Sequence, residues 1–170
     1  CHVGSQIEEI QAYVLAMNKF VDIAYEIYDI FGITINKLNA GGGFGICYTK
    51  ADKPLEFELV VDTIMDIITK GFEARNLKRP MVLVEPGRYC VGNAGITLYT
   101  VGSYKNIKDI RDYISVDGGM TDNIRSSLYA AKYDAIIANK AEMPADCLVT
   151  VAGKNCESGD ILIKDIMLQD

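Results

Sequence analysis

Glu85 and Arg88 stand three residues apart in a Glu-Pro-Gly-Arg sequence that follows an apolar run of strand length. The guanidinium of Arg88 is a planar, permanently charged fork that suits a carboxylate or a phosphate. The carboxylate of Glu85 could pair with a protonated ring nitrogen of a cofactor. The alternative is a surface ion pair between the two side chains, which would add little stability.

Two other segments could bind an anion. The glycines Gly41, Gly42 and Gly43 would let backbone N–H groups approach a phosphate, although a tight turn explains the same run equally well. Near the start of the chain, Ser5 could cap a helix, donate to a phosphate, or do both. His2 is the only histidine, and it is either functional or simply packed.

A third set of reactive residues lies late in the chain. Arg125 and Tyr129 are four residues apart, so on a helix they would share a face and could grip a carboxylate together. A solvated arginine beside a packed tyrosine is the alternative. In the sequence Cys156–Asp160, a thiol adjoins two carboxylates. Neighbouring negative charge favours a protonated thiol, so Cys156 suits a proton donor better than a nucleophile.

Apolar periodicity predicts two long helices in the first half. Apolar residues recur at three- and four-residue steps from position 7 to 28, and again from 57 to 72 after Pro54. Ser5 and Glu8 would form a capping box before the first helix. Gly32 would end that helix as a C-cap glycine.

Strands alternate with these helices. Ile33–Leu38 and Pro80–Val84 are short apolar runs, and each leads into one of the polar loops. Such alternation predicts a parallel sheet. In a (β/α)8 barrel, the carboxyl ends of the strands form the face that carries the active site.

After Gly95 the pattern becomes mostly β, with a domain boundary expected near residues 92–100. A single short helix is predicted over Thr121–Ala131. The predicted strands of this second region are Ile96–Tyr104, Tyr113–Val116, Asp134–Ala138, Cys147–Val151 and Asp160–Ile163.

Composition excludes several classes of protein. The net charge of −6 argues against a nucleic-acid surface, which would need clustered lysine and arginine. Five cysteines without C-x-x-C spacing and a single histidine make a metal site improbable and indicate reduced thiols in a cytoplasmic protein. No apolar run is long enough to span a membrane.

Taken together, the motifs resemble those of the diaminopimelate decarboxylases, which are pyridoxal-phosphate (PLP) enzymes of fold type III. The resemblance covers nearly the whole chain, and the late motifs are specific to this branch. The matching segments, in order, are Cys1–Gln6, Gly41–Gly45, Glu85–Arg88, Val116–Arg125, Leu128–Tyr129 and Cys156–Asp160.

The resemblance implies a fold and an assembly. Residues 1–95 would be the last part of a PLP-binding TIM barrel, and residues 96–170 the first part of a C-terminal β-sandwich or β-barrel domain. Because the chain begins at Cys1 with a loop, we expect an internal fragment that is inactive alone. The cofactor's lysine and a late active-site tyrosine would lie outside it. The parent would be a homodimer with an active site shared between subunits.

The resemblance also implies residue roles. His2 would stack on the PLP ring, and Glu85 would pair with its pyridine nitrogen and keep it protonated. The phosphate would be held by Ser5, Gly41, Gly42, Gly43, Gly87 and Arg88. The substrate would be bound by Arg88, Arg125, Tyr129 and Glu157, and Cys156 would be the catalytic proton donor.

The expected reaction is decarboxylation of meso-diaminopimelate to L-lysine and CO2. Its distal amino acid group needs cations for the carboxylate and an anion for the ammonium, which Arg88, Arg125 and Glu157 would supply. The alternatives are a decarboxylase of another basic amino acid or of a carboxylated polyamine, and a non-catalytic, regulator-like relative that binds a partner protein.

Overall fold

The computed structural model describes all 170 residues. They divide into two compact units, Cys1–Gly95 (unit 1) and Ile96–Asp170 (unit 2). Each unit has its own buried apolar cluster. No helix in the structure is long and apolar enough to cross a membrane.

Unit 1 alternates helices with two parallel strands, as the sequence predicts. The two long helices pack against each other and supply most of the buried cluster. Its elements are α1 (Ile10–Phe31), β1 (Lys37–Gly42), α2 (Phe57–Glu73), β2 (Met81–Glu85) and α3 (Arg88–Val91), followed by a 3-10 turn at Gly92–Ala94.

The core of unit 1 lies between the helices and the strands. Tyr13 and Met17 of α1 and Ile64, Ile68 and Phe72 of α2 are each at most 1% exposed. Burying one such side chain contributes about 1.5–3 kcal/mol. The three- and four-residue spacing of these positions is the periodicity that predicts the helices.

The predicted capping box is wrong. Helix α1 begins at Ile10 after Glu9, whose side chain makes no capping hydrogen bond. The preceding segment stays outside the helix because Ile7 forms a parallel bridge with Phe44 and donates its N–H to the carbonyl oxygen of Gly43 at 2.9 Å. Pairing with a distant segment therefore overrides the local capping signal.

The end of α1 confirms the predicted C-cap. Gly32 adopts the left-handed conformation, with φ of 68°, and its N–H bonds to the carbonyl oxygen of Tyr28 at 2.8 Å. A residue with a side chain is strained at this φ, so glycine ends the helix cleanly.

Strand β1 runs later than predicted. It covers Lys37–Gly42 instead of Ile33–Leu38, so the first glycines belong to the strand and not only to a loop. Lys37 lies opposite Met81 of β2, and Gly42 lies opposite Glu85. Long-range pairing places these glycines in the sheet although glycine disfavours strands locally.

Unit 2 contains one four-stranded sheet in the order β3-β4-β5-β6. Neighbouring strands are antiparallel except β4 and β5, which are parallel. The elements are β3 (Val101–Ile107), β4 (Arg111–Val116), α4 (Arg125–Tyr129), a 3-10 turn at Ala138–Lys140, β5 (Ala145–Ala152) and β6 (Ile161–Gln169).

One predicted strand of unit 2 is absent. Asp134–Ala138 joins no sheet, because its backbone bonds to a side chain: the N–H of Ile137 donates to Oε1 of Gln169 at 2.9 Å. Ala135 and Ile137 instead pack as irregular chain on the buried cluster. The apolar residues that predicted a strand are therefore packing positions in an irregular segment.

Two other elements of unit 2 are shorter or later than predicted. Strand β3 starts at Val101 instead of Ile96. The helix expected over Thr121–Ala131 is confined to Arg125–Tyr129, since a turn in which Asp122 and Asn123 donate to the carbonyl oxygen of Gly119 precedes it.

Candidate functional site

In unit 1, the carboxyl ends of β1 and β2 meet at one edge, because the strands are parallel and Gly42 faces Glu85. The N-terminal segment joins the same edge. The amino group of Cys1 donates to the carbonyl oxygen of Asn39 at 2.8 Å, and Ile7 is bridged to Phe44. Three segments distant in sequence therefore converge where the sequence predicts a site.

Glycine is required at the point of convergence. A Cβ atom at Gly42 would overlap the carbonyl oxygen of Glu85, so a side chain there would push the two strand ends apart. Gly41 and Gly43 are also close to backbone atoms, of Cys1 and Gly4 respectively. The glycine run thus lets the backbone segments pack directly on one another.

Arg88 is held by two hydroxyl groups. Its Nη1 donates to the Tyr48 hydroxyl at 2.6 Å, and its Nη2 donates to the Ser5 hydroxyl. Its guanidinium carbon lies 5.8 Å from the centroid of the Tyr48 ring. Arg88 forms no ion pair with Glu85, so the surface ion-pair interpretation of this motif is wrong.

Glu85 is oriented by a neighbouring amide. Its Oε1 accepts a hydrogen bond from Nδ2 of Asn39 at 2.5 Å, and Oδ1 of Asn39 accepts from the N–H of Gly41 at 2.8 Å. A carboxylate has about four acceptor positions, so Glu85 can accept further hydrogen bonds from a ligand.

His2 and Gly87 lie in the same convergent segments. The His2 side chain is exposed, and a Cβ at Gly41 would lie 3.8 Å from its Cα. Gly87 has φ of 48° and precedes α3, which begins at Arg88. All eight residues predicted to bind a cofactor therefore belong to one edge of unit 1.

In unit 2, Arg125 and Tyr129 share a face of α4, as their spacing predicts. The guanidinium carbon of Arg125 lies 5.6 Å from the centre of the Tyr129 ring. Nε of Arg125 is buried without a hydrogen-bond partner. A buried N–H of a cation is costly unless it is bonded, so this guanidinium is suited to an added anion.

Helix α4 is bonded to the loop that carries Cys156 and Glu157. The Ser127 hydroxyl donates to the carbonyl oxygen of Gly159 at 2.8 Å. Cys156 and Glu157 are exposed, and Cys156 is a free thiol. Unit 2 thus places a cation, a carboxylate and a thiol on two segments that touch.

Sequence reasoning included Asp160 in the Cys156–Asp160 motif but gave it no role; in the structure its carboxylate is buried, with the residue 2% exposed. Burial raises its pKa, but hydrogen bonds from Asn155 and Met120 outweigh burial and hold the pKa below its usual value. The signal in the sequence was a charged residue directly before the apolar run of β6 and directly after Gly159.

Tyr48 and Asn39 were also missed, although each bonds to a predicted site residue. Neither has a local signal, because the partner of Asn39 is 46 positions away in sequence and the partner of Tyr48 is 40 positions away.

Tyr13 lies in the core of unit 1, where burial raises the pKa of its hydroxyl to about 12. The hydroxyl stays protonated and points at the carbonyl oxygen of Gly42, 3.4 Å away.

Comparison with known proteins identifies the family. The family model for the pyridoxal binding domain of pyridoxal-dependent decarboxylases matches residues 1–92. The chain belongs to this family. The match covers all of the convergent edge in unit 1, from Cys1 to Arg88.

Two curated relatives that match nearly the whole chain carry the same name. The diaminopimelate decarboxylase of Bacillus methanolicus is 47% identical over 99% of this chain and 39% of its own length. That of Bacillus subtilis is 46% identical over 100% of this chain and 39% of its own length. The chain therefore spans about two fifths of the curated relatives it matches.

A solved structure gives the same result. The diaminopimelate decarboxylase of M. jannaschii in complex with L-lysine superposes on this chain with a TM-score of 0.87 at 30% identity. The superposition covers 100% of this chain and 38% of that one. The likeness extends over both units.

The residues of unit 1 fit a phosphorylated pyridine. Arg88 and the Ser5 hydroxyl adjoin each other and offer a cation and a hydroxyl for a phosphate. Glu85, anchored by Asn39, offers a carboxylate for a protonated ring nitrogen at the same edge. The Glu85 carboxylate and the Arg88 guanidinium have separate partners and do not pair with each other, so both charges remain available to a ligand.

We predict that Gly42→Ala separates the ends of β1 and β2. Its Cβ would meet a backbone carbonyl, which cannot rotate away as a side chain can. The expected loss in free energy of unfolding is about 1–3 kcal/mol, measured by urea unfolding.

Gly95→Ala is the matched control, because a Cβ at Gly95 would meet nothing within 4 Å. It should change the free energy of unfolding by about 0.5 kcal/mol or less. Equal stability of the two variants would contradict the close approach at Gly42.

Proposed function

We propose that this chain is part of a PLP-dependent diaminopimelate decarboxylase, which converts meso-diaminopimelate to L-lysine and CO2. The observation that carries the proposal is the Ser127–Gly159 hydrogen bond in unit 2, which joins the helix bearing Arg125 to the loop bearing Cys156 and Glu157. An amino acid group needs such a cation and anion together.

The proposal includes a position in the parent fold. We assign residues 1–95 to the last part of the PLP-binding TIM barrel, and residues 96–170 to the first part of the C-terminal β domain. Support comes from the parallel β1–β2 pair with its intervening helix, from the all-β sheet of unit 2, and from the likeness to the M. jannaschii enzyme over the whole chain.

In this proposal, unit 1 binds the cofactor. Ser5, the glycine run, Gly87 and Arg88 hold its phosphate, and His2 stacks on its ring. Glu85 holds a proton at the ring nitrogen. When bound, PLP supplies an acceptor for the electron pair that remains when CO2 leaves.

Substrate selection depends on charge. Arg88, Arg125 and Tyr129 bind the distal carboxylate of diaminopimelate, and Glu157 binds its distal ammonium. A substrate without the distal carboxylate would leave the buried Nε–H of Arg125 unpaired. Such a mismatch costs more than the loss of an apolar contact, so the site discriminates strongly.

Cys156 donates a proton to the carbon that has lost CO2. We further propose that the enzyme is a homodimer in which this thiol serves the cofactor site of the other subunit. The five free cysteines suit a reducing compartment, and we place the enzyme in the cytoplasm.

The direct test is CO2 release by the full-length protein with PLP. We expect activity with meso-diaminopimelate and at least about 100-fold lower kcat/KM with lysine, ornithine and arginine, because those substrates lack the distal carboxylate. Activity on one of the other amino acids would overturn the roles of Arg125, Tyr129 and Glu157. Activity on none of these amino acids would favour the alternative that the protein is a non-catalytic, regulator-like relative.

A second prediction concerns the proton donor. In the full-length protein, Cys156→Ala should lower kcat by about 10²–10⁴-fold, the usual contribution of a general acid. PLP affinity, measured by fluorescence titration, should be unchanged because the cofactor residues lie in unit 1. Cys147→Ala, another free thiol of unit 2, is the control. Near-normal kcat in Cys156→Ala would remove the thiol from this role.

A further inference from the structure

We propose that Asp160 is a positioning residue for substrate binding: its buried carboxylate joins the loop of Cys156 and Glu157 to the segment that leads into α4. This inference rests on the proposed function, since it concerns the same substrate site. Asp160 itself contacts no substrate in this account. It acts through the residues it holds.

The carboxylate of Asp160 accepts three hydrogen bonds from two different segments. Oδ1 accepts from the N–H of Met120 at 2.6 Å. Oδ2 accepts from the N–H of Asn155 at 2.7 Å and from its Nδ2 at 2.8 Å. Hydrogen bonds to an ionised acceptor are about twice as strong as neutral ones, so the carboxylate is a firm link between the segments.

The backbone around Asp160 closes the loop at its base. Its carbonyl oxygen accepts from the N–H of Gly153 at 2.8 Å, and its own N–H donates to the carbonyl oxygen of Glu157 at 3.0 Å. Both ends of the segment 153–160 are thereby fixed. Cys156 and Glu157 lie between these ends.

The segment that leads into α4 approaches the Asp160 carboxylate closely at Gly119. A Cβ at Gly119 would lie 2.7 Å from both carboxylate oxygens, and a Cβ at Gly153 would lie closer still. The N–H of Lys154 adds a bond to the carbonyl oxygen of Gly118 at 2.9 Å. Two glycines on opposite segments thus make room for one carboxylate.

Both functional groups of unit 2 depend on this link. Met120 lies five residues before Arg125, at the start of the turn that enters α4. Asn155 is next to Cys156, which precedes Glu157. One side chain therefore holds both the loop of Cys156 and Glu157 and the turn that leads to Arg125.

The charge of Asp160 is needed as well as its shape. In Asp160→Asn, one carboxylate oxygen becomes an NH2 group, which would face an N–H donor of Met120 or Asn155. At least one of the three hydrogen bonds is lost, while the size of the side chain is kept. Asp160→Asn therefore loosens the link without creating a cavity.

Two measurements on the full-length protein test the proposal. The first is amide hydrogen exchange without cofactor or substrate. Asp160→Asn should raise exchange at Met120 or at Asn155 by about tenfold or more, because the amide that faces the new NH2 group loses its acceptor. Asp146→Asn, an exposed aspartate of β5, should leave it unchanged. Unchanged exchange in Asp160→Asn would overturn the proposal.

The second measurement is a double-mutant cycle in kcat/KM for diaminopimelate, with Asp160→Asn, Glu157→Gln and the double variant. If Asp160 acts by placing Glu157, each single change should cost about tenfold or more, and the double change little more than the larger single loss. PLP affinity should be the same in all four proteins. If the losses in kcat/KM of the two single variants multiply in the double variant, the positioning role is overturned. Normal kcat/KM in Asp160→Asn would overturn it as well.

The outcomes separate this inference from the proposed function. If the unmodified protein does not decarboxylate diaminopimelate, or Glu157→Gln has normal kcat/KM, the proposed function fails, and hydrogen exchange alone decides whether Asp160 holds the loop. If Asp160→Asn does not fold, Gly119→Ala, which pushes against the same carboxylate, replaces it in both measurements with the same expected results.

Discussion

The close approach of β1 and β2 at their carboxyl ends is the constraint on which the site in unit 1 depends. Gly42 touches the carbonyl oxygen of Glu85, and this contact brings the glycine run beside the Glu85–Arg88 segment. Ser5 then reaches Arg88, and Asn39 reaches Glu85. The arginine and the glutamate are held by separate neutral partners, so both charges stay available for a ligand.

In unit 2, a buried carboxylate holds the functional segments in position. There the functional side chains lie on a short helix and an exposed loop, neither of which has enough apolar contact to fix its position. The carboxylate of Asp160 links the two segments through three hydrogen bonds, and the Ser127–Gly159 bond adds a direct contact. Charge-assisted hydrogen bonds can impose such order where the core is small.

The sequence predicts those features that local pattern determines. Periodicity locates α1 and α2, and the Gly32 cap is confirmed, because both depend on residues within one or two turns. The capping box at Ser5 and the strand at Asp134–Ala138 are wrong, because Phe44 and Gln169 pair with those segments from far along the chain. For the same reason, motif spacing gives roles to Glu85, Arg88 and Arg125 but none to Asn39, Tyr48 or Asp160.

The most direct test of this account is a crystal structure of the full-length protein with pyridoxal phosphate bound. We expect the phosphate to lie within hydrogen-bond distance of the Ser5 hydroxyl and the Arg88 guanidinium, with the ring nitrogen at the Glu85 carboxylate. Gly42 should remain in contact with the Glu85 carbonyl. A phosphate bound away from Arg88, or a ring nitrogen facing a group other than Glu85, would contradict the account.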